Sequence, residues 1–224
     1  MINTEFKIHQ EELDFLRRHW EDSLSRFEVK KSDVEDLFQQ LVGLYSSGGR
    51  SYHNLSHIRY LVDLSEAIRE RIENQQALSF AIWFHDAIYN TRMKDNEELS
   101  AKFAVKSLGR FKIPVDTLAL SCEMIVSTRE HRKNGFSQDI NFFLDLDLAI
   151  LGSEEPLYRN YAAAIREEYE WAPDPIYNEG RKKVLQRFLR RESIYLTSEL
   201  AEMFEEKARK NIAGEIESLS ALSN

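Results

Sequence analysis

The stretch Leu78-Ser79-Phe80-Ala81-Ile82-Trp83-Phe84 is the segment that most constrains the fold. Drawn as a helix, it is apolar on nearly all sides, and such a helix is buried in the core of a protein. It is far shorter than the roughly 20 apolar residues that span a bilayer. His85 and Asp86 follow it directly. An imidazole and a carboxylate at that place are costly to bury unless a metal ion or a hydrogen-bonding partner satisfies them, and both interpretations remain open.

Outward from this stretch, nearly every segment carries the helical period, and no alternating β-branched run reaches strand length. The predicted helices span about 10–27, 32–46, 56–74, 76–88, 95–111, 115–128, 139–151, 155–170, 175–192 and 197–218. The breaks between them are too short for interdomain linkers. We therefore expect an all-α, single-domain helical bundle over residues 1–224. The Ser-rich end, 213–224, predicts a frayed tail.

Composition and charge narrow the class of protein. The 224 residues are 42% hydrophobic and 30% charged, with only 8 glycines and 4 prolines, which excludes a disordered or collagen-like chain. The net charge of −8 repels the phosphate backbone of nucleic acids, so we do not expect the protein to bind a nucleic-acid polymer. A small anion on a bound metal ion stays compatible with it, since the cation dominates its local field.

Cellular location is predicted from the lone cysteine and from the first residues. Because Cys122 is the only cysteine, it cannot form an intramolecular disulfide, and the protein does not need an oxidising compartment. The start, Met-Ile-Asn-Thr-Glu-Phe-Lys-Ile-His, lacks the basic and apolar regions of a secretion signal. We therefore expect a cytoplasmic protein with no membrane association.

His53 and His57 flank a predicted helix start. They would share a helix face only if the helix already ran from His53, but Asn54 and Ser56 are typical cap residues. The spacing resembles the HxxxH of zinc proteases, yet Asn54 stands where that chemistry needs a glutamate, so a metalloprotease is excluded. His57 is either a residue aimed inward or a helix-capping histidine, and the sequence leaves both open.

Asp145 and Asp147 lie on one predicted helix, about 200° apart around its axis. They cannot both face one site from a regular turn. Asp147 shares its stripe with four apolar residues, Phe143, Leu144, Ile150 and Leu151. Asp147 is therefore predicted to be the buried carboxylate, either as a metal ligand or as an acceptor of hydrogen bonds from the backbone or an arginine.

Together these motifs resemble a known family. The order His57, then His85-Asp86, then Asp147 is similar to the H…HD…D signature of the HD superfamily of metal-dependent phosphohydrolases. The fuller strings look like those of a bacterial subgroup of predicted HD phosphohydrolases. They are Tyr52-His53-Asn54-x-x-His57-Ile58, Trp83-Phe84-His85-Asp86-Ala87-Ile88-Tyr89, Asp95-Asn96-Glu97-Glu98-x-Ser100-Ala101 and Phe143-Leu144-Asp145-x-Asp147-Leu148-Ala149-Ile150-Leu151-Gly152. The resemblance runs from about Arg50 to Tyr195.

The resemblance implies an all-α HD fold and a divalent metal ion, with Mn, Mg, Co, Ni, Zn and Fe as candidates. The metal ligands that it implies are His57, His85, Asp86 and Asp147. Two imidazoles and two carboxylates balance a divalent charge and leave positions for water and a substrate oxygen. The implied reaction is hydrolysis of a small phosphate ester, with a nucleotide as one candidate, by attack of a metal-activated water.

Further candidates surround these motifs. The candidate catalytic residues are His53, Glu97, Glu98 and His131. His53 is expected near the pocket but not on the metal. Many HD enzymes place a further histidine where His131 stands, to bind substrate or a second metal. Glu97 and Glu98 could serve as base or metal bridge, but acids in the first turn of a helix are also ordinary helix chemistry.

Candidate substrate-binding residues are basic. They are Arg50, Arg129, Arg132 and Lys133. The last three would suit a phosphate, although an exposed charged loop explains them equally well. One basic side chain of the helix at 181–191 could also reach the pocket.

Two other functions fit the same motifs. An HD-type di-iron oxygenase would need more than four ligands, supplied by His53, His131 or the Glu97/Glu98 pair. A non-catalytic regulatory module would keep the metal or a ligand without turnover. The substrate, the metal and the oligomeric state are not encoded in a recognisable pattern.

Overall fold

The computed structural model describes residue 6 and residues 8–221. Within them it contains ten α-helices, two short 3-10 turns and no strand. The helices are α1 (Gln10–Leu24), α2 (Lys31–Tyr45), α3 (Leu55–Ala67), α4 (Gln75–Phe84), α5 (Asn96–Leu108), α6 (Val115–Ser127), α7 (Gln138–Leu148), α8 (Glu155–Glu168), α9 (Asp174–Leu189) and α10 (Ser198–Ala221). The predicted all-α single-domain bundle is confirmed. Most of the amino-terminal stretch used to predict the absence of a secretion signal lies outside the described residues.

Helix α4 is the centre of the bundle. Every residue from Ala77 to Phe84 is buried, as predicted for this stretch, and the helix packs against α1, α3, α5, α6 and α7. Trp83 meets Trp20 of α1 edge to face, with ring centroids 5.6 Å apart. Burial of each such side chain contributes on the order of 2 kcal/mol. No helix within the described residues has both the length and the apolar character to cross a membrane.

Helix α4 ends at Phe84, four residues earlier than predicted. The Arg50 guanidinium donates to the carbonyl oxygens of Asp86 and Ala87, at 2.7 and 3.1 Å. These carbonyls are thereby drawn out of the helical ladder, and a turn follows. His85 and Asp86 consequently follow the carboxyl-terminal end of α4 and are not part of the helix itself.

The start of α3 follows the prediction. Asn54 is the N-cap, and its side-chain oxygen accepts a hydrogen bond of 2.8 Å from the Ser56 amide. The helix begins at Leu55, so His53 precedes it while His57 lies in its first turn. The helix stops at Ala67, before the predicted end at 74, and a 3-10 turn covers Arg69–Arg71.

The carboxyl-terminal helix corrects the predicted tail. Helix α10 continues to Ala221, so residues 213–221 are helical rather than frayed, and residues 222–224 lie outside the described part. Ile212, Ile216 and Leu219 extend the stripe that packs on the core. The helix passes very close to Gly152, where a Cβ would come within 2.6 Å of the Phe204 carbonyl oxygen. Only glycine fits that crossing.

Candidate metal centre

Three elements bring their polar side chains together at one end of α4. His57 comes from the first turn of α3, His85 from the end of α4 and Asp147 from the last turn of α7. The Nε2 atoms of the two histidines lie 3.2 Å apart, and Asp147 Oδ1 lies 3.2 Å from His57 Nε2 and 3.5 Å from His85 Nε2. Their ligand atoms all fall within 4.8 Å of one another, which is close enough for a single metal ion.

The orientation of His85 fits a metal ligand. Its Nδ1 donates to the Ile82 carbonyl oxygen at 3.0 Å, so the neutral ring presents a bare Nε2. That nitrogen faces Asp86 Oδ2 at 3.1 Å as well as Asp147 Oδ1. An unprotonated nitrogen and carboxylate oxygens repel each other unless a proton or a cation lies between them. The ligand atoms of this cluster thus suit a divalent ion. Asp86 lies beside the cluster and contacts it through His85.

The two histidines respond to this environment in opposite directions. Burial lowers the pKa of His57. Burial also acts to lower the pKa of His85, but the carboxylates of Asp86 and Asp147 outweigh it and raise that pKa well above its usual range. His57 Nδ1 is buried and has no hydrogen-bond partner within the described residues, so only its Nε2 side is fixed.

Asp147 is held from two sides. Its Oδ2 accepts a hydrogen bond of 2.8 Å from His131 Nε2, while Oδ1 faces the other two histidines. Burial acts to raise the pKa of Asp147, but hydrogen bonds from His131 and His57 bring it well below the usual value. His131 has a backbone φ of 45°, the left-handed region that non-glycine residues rarely adopt. The predicted catalytic residue His131 therefore orients a candidate ligand through a strained turn.

The burial prediction for the two aspartates of α7 is wrong. Asp145 is completely buried, whereas the side chain of Asp147 is 14% exposed. Asp145 accepts hydrogen bonds from the backbone amides of Leu196 and Thr197, at 2.7 and 2.8 Å, and from the Thr197 hydroxyl. Helix α7 is covered on both faces, so the apolar stripe could not tell which aspartate was deeper.

His53 belongs to the wall of the site, next to the cluster. Its Nδ1 lies 2.6 Å from Glu168 Oε2, and its ring stacks on Tyr89 with centroids 4.3 Å apart. Glu168 Oε1 accepts the backbone amides of Tyr52 and His53, and the Tyr89 hydroxyl donates to Oε2. His53 is not part of the metal-candidate group formed by the three residues above, although its Nδ1, like that of His85, is occupied.

Sequence reasoning missed Glu168, whose side chain is fully buried. A signal was present: it continues the buried stripe of α8 that contains Leu157, Tyr161, Ala164 and Ile165. A carboxylate on such a stripe predicts a buried partner.

The remaining predicted residues are not part of the metal-candidate group, although Arg129 lines the cavity beside Asp147. Arg50 donates to the carbonyl oxygens of His53, Asp86 and Ala87, so we assign it to positioning these loops. Arg129 forms ion pairs with Glu97 and Glu98 and donates to the Lys94 carbonyl. These contacts tie the start of α5 to the turn after α6.

Two of the predicted phosphate-binding residues, Arg132 and Lys133, belong to an exposed charged loop. Arg132 pairs with Glu130 at 2.9 Å, and its side chain is 76% exposed. Lys133 is exposed as well. Neither lines the cavity beside the cluster.

A cavity of about 290 Å³ opens beside Asp147. His53, His131 and Asp147 form one part of its lining. Apolar side chains and arginines complete the wall, among them Leu151, Tyr161, Phe188, Arg187 and Arg191. Its volume is close to the lower end of the range for small-molecule sites.

Comparison with known proteins adds no relative. No protein-family model, no curated protein and no solved structure matches the chain. The resemblance to HD phosphohydrolases therefore stays a prediction from the motifs. The structure itself establishes an all-α domain with a His57, His85 and Asp147 group that could hold a metal ion.

Proposed function

We propose that this chain is a metal-dependent phosphohydrolase that acts on a small phosphate ester, with nucleotides among the candidates. The observation that carries the proposal is the meeting of His57, His85 and Asp147 beside a cavity large enough for a small molecule. His85 Nε2 faces two carboxylates there, which is an arrangement that calls for a cation.

The chain would hold the ion with His57, His85 and Asp147, and Asp86 stands at hydrogen-bond distance from His85 to complete the set. A divalent ion bound there would lower the pKa of a water ligand and polarise a phosphoryl oxygen. Its positive charge would offset the two carboxylates, so that they would not repel an anionic substrate.

His53 is the residue that we assign to proton transfer or water orientation. Glu168 occupies its Nδ1 and, together with stacking on Tyr89, fixes the ring, so that Nε2 remains for the cavity side. His131 keeps Asp147 oriented by its 2.8 Å hydrogen bond. Preorganised groups of this kind contribute to catalysis because they do not reorganise during the reaction.

The test is metal analysis followed by turnover. We expect protein purified without added metal to contain a transition metal. Phosphate release from a panel of phosphate esters should depend on the metal, stop with a chelator and return with Mn²⁺.

Other results would separate the alternatives. Iron with a visible absorption band and no phosphate release would favour the di-iron oxygenase. Stoichiometric metal without turnover on any ester would favour a binding module. A protein that neither contains nor takes up a metal would contradict the proposal.

A further inference from the structure

The cavity beside the metal-candidate cluster has a second polar wall, opposite in charge to the carboxylates. Arg129 and Arg181 also line this cavity, but both are paired with glutamates. The second wall is made by Arg187 near the end of α9 and by Arg191 just after it. The chain as a whole carries a net charge of −8, so two unneutralised guanidinium groups at one small cavity are not a reflection of its average surface. Within the described residues, neither arginine forms an ion pair with a carboxylate.

Arg191 is held in place but not satisfied. Its Nη2 donates to the Glu130 carbonyl oxygen at 3.0 Å, and its guanidinium lies over the Phe188 ring, 4.8 Å from the centroid. Arg209 donates to the Arg191 carbonyl oxygen at 2.9 Å, which fixes the backbone. Nη1 is buried and has no hydrogen-bond partner in the described part of the chain.

A buried, unpaired guanidinium nitrogen is unfavourable by itself. The pKa of Arg191 is lowered by burial and further by the nearby charges of Arg187 and Arg132. An anion in the cavity would relieve both costs, since it would neutralise the repulsion and accept the free N–H bonds. Guanidinium groups suit oxyanions because their donors lie in one plane and can bind two oxygens at once.

The position of Arg191 ties this wall to the cluster. The residue that accepts its Nη2 hydrogen bond, Glu130, directly precedes His131, whose imidazole binds Asp147. Arg191 and Asp147 are therefore connected by two hydrogen bonds and one peptide link, and both line the same cavity. A small molecule in the cavity can contact both walls.

We propose that Arg187 and Arg191 form an oxyanion subsite, so that the substrate is a small molecule with a second anionic group, a phosphate or a carboxylate, besides the phosphoryl group at the cluster. The inference rests on the proposed function, because it assigns the second group to the same substrate. The apolar side chains Leu151 and Phe188 line the same cavity and offer packing for the part that joins the two anionic groups.

The subsite can be tested without metal or turnover. Titration calorimetry with inorganic phosphate, and separately with succinate, is carried out on the metal-depleted full chain and on Arg191→Gln and Arg187→Gln. Arg190→Gln is the matched control, because it removes the same charge from the intervening, exposed residue that does not line the cavity. Urea unfolding checks each variant, and exposed Arg187 carries the test if Arg191→Gln is unstable.

We expect at least one of the two anions to bind the unaltered chain and Arg190→Gln alike, and to bind Arg191→Gln and Arg187→Gln at least tenfold more weakly. Preference for phosphate would identify the second group as phosphate, and preference for succinate would identify it as carboxylate. Equal binding to Arg190→Gln and the other two variants, or no binding to the unaltered chain, would overturn the subsite.

This experiment separates the two proposals. If the metal-loaded chain releases no phosphate from any ester while anion binding still depends on Arg187 and Arg191, the proposed reaction fails and the subsite stands. If phosphate is released but anion binding ignores both arginines, the reaction stands and the subsite fails.

Discussion

Two carboxylates on helix α7, only two residues apart, end in opposite environments. Asp145 meets hydrogen-bond donors from the backbone and a hydroxyl of 196–197, which joins α7 to the start of α10. Asp147 meets the rings of His57, His85 and His131. The fully buried carboxylate is bound by backbone and hydroxyl donors, and the slightly exposed one faces a cavity. Burial therefore does not identify the candidate metal ligand, whereas the chemistry of the partners distinguishes the two aspartates.

The strongest test of this comparison is Asp147→Asn against Asp145→Asn. Loss of the Asp147 charge should weaken Mn²⁺ binding by more than about 100-fold, since loss of a group that merely supports a ligand already costs 10–100-fold. Asp145→Asn should bind Mn²⁺ within about tenfold of the unaltered chain. Calorimetric titration measures both, with circular dichroism as the check on folding. Metal loss confined to Asp145→Asn would reverse the assignment.

His53→Ala sharpens the boundary of the cluster. We expect it to retain the metal and to lose about 100-fold in turnover, the range for removal of a group that transfers a proton. The physical reason is that His53 lies outside the metal-candidate group, while Glu168 and Tyr89 fix its ring at the wall of the cavity. His57→Ala is the reference for metal loss. Equal loss of metal in both variants would make His53 a ligand.

Asp145→Asn should have its main effect on stability. In the asparagine, an NH2 group replaces one of the two oxygens that accept hydrogen bonds from Leu196 and Thr197, so a buried backbone amide or hydroxyl loses its acceptor. The free energy of unfolding should fall by about 3 kcal/mol. Urea denaturation of the metal-free protein measures it, and Asp147→Asn serves as the comparison. A smaller loss for Asp145→Asn than for Asp147→Asn would contradict the structural role of Asp145.

The smallest expected effect concerns pH and the His53–Glu168 pair. Burial acts to lower the pKa of His53, but the Glu168 carboxylate outweighs it and raises that pKa above 6.5. Burial acts to raise the pKa of Glu168, but His53 outweighs it and lowers that pKa below 4.5. The carboxylate contributes stability above about pH 4.5, and that contribution is lost as pH falls through its folded pKa. The imidazolium contributes below about pH 6.5, and that contribution is lost as pH rises through its folded pKa.

The stability difference between the unaltered chain and Glu168→Gln should therefore be largest between about pH 4.5 and 6.5. It should shrink by about 1 kcal/mol at higher pH, once His53 is neutral. Thermal unfolding across this range measures the change. Glu167→Gln on the adjacent, exposed position is the control. A difference that does not vary with pH would show that the two groups are not paired as ions.

Much of the candidate site could be predicted from the sequence, and the reason differs from residue to residue. His85 and Asp86 stood out because polar groups ended a wholly apolar run, and Asn54 marked the start of α3 by its capping chemistry. The buried stripe of α8 marked Glu168 as a carboxylate that needs a partner, but its backbone partners lie more than a hundred positions away, at Tyr52 and His53. Local patterns carry no record of such contacts.

The sequence alone determined the helical class and the buried run at 78–84, because hydrophobic periodicity acts within a few turns of the chain. It also singled out His57, His85 and Asp147. Only the tertiary structure decided which aspartate of α7 is deeper and where α4 ends. Both outcomes depend on hydrogen-bond donors from distant segments: Thr197 donates to Asp145, and Arg50 donates to the turn after α4. In addition, helix α7 is buried on both faces, so its sequence has no polar side that would indicate which aspartate is exposed.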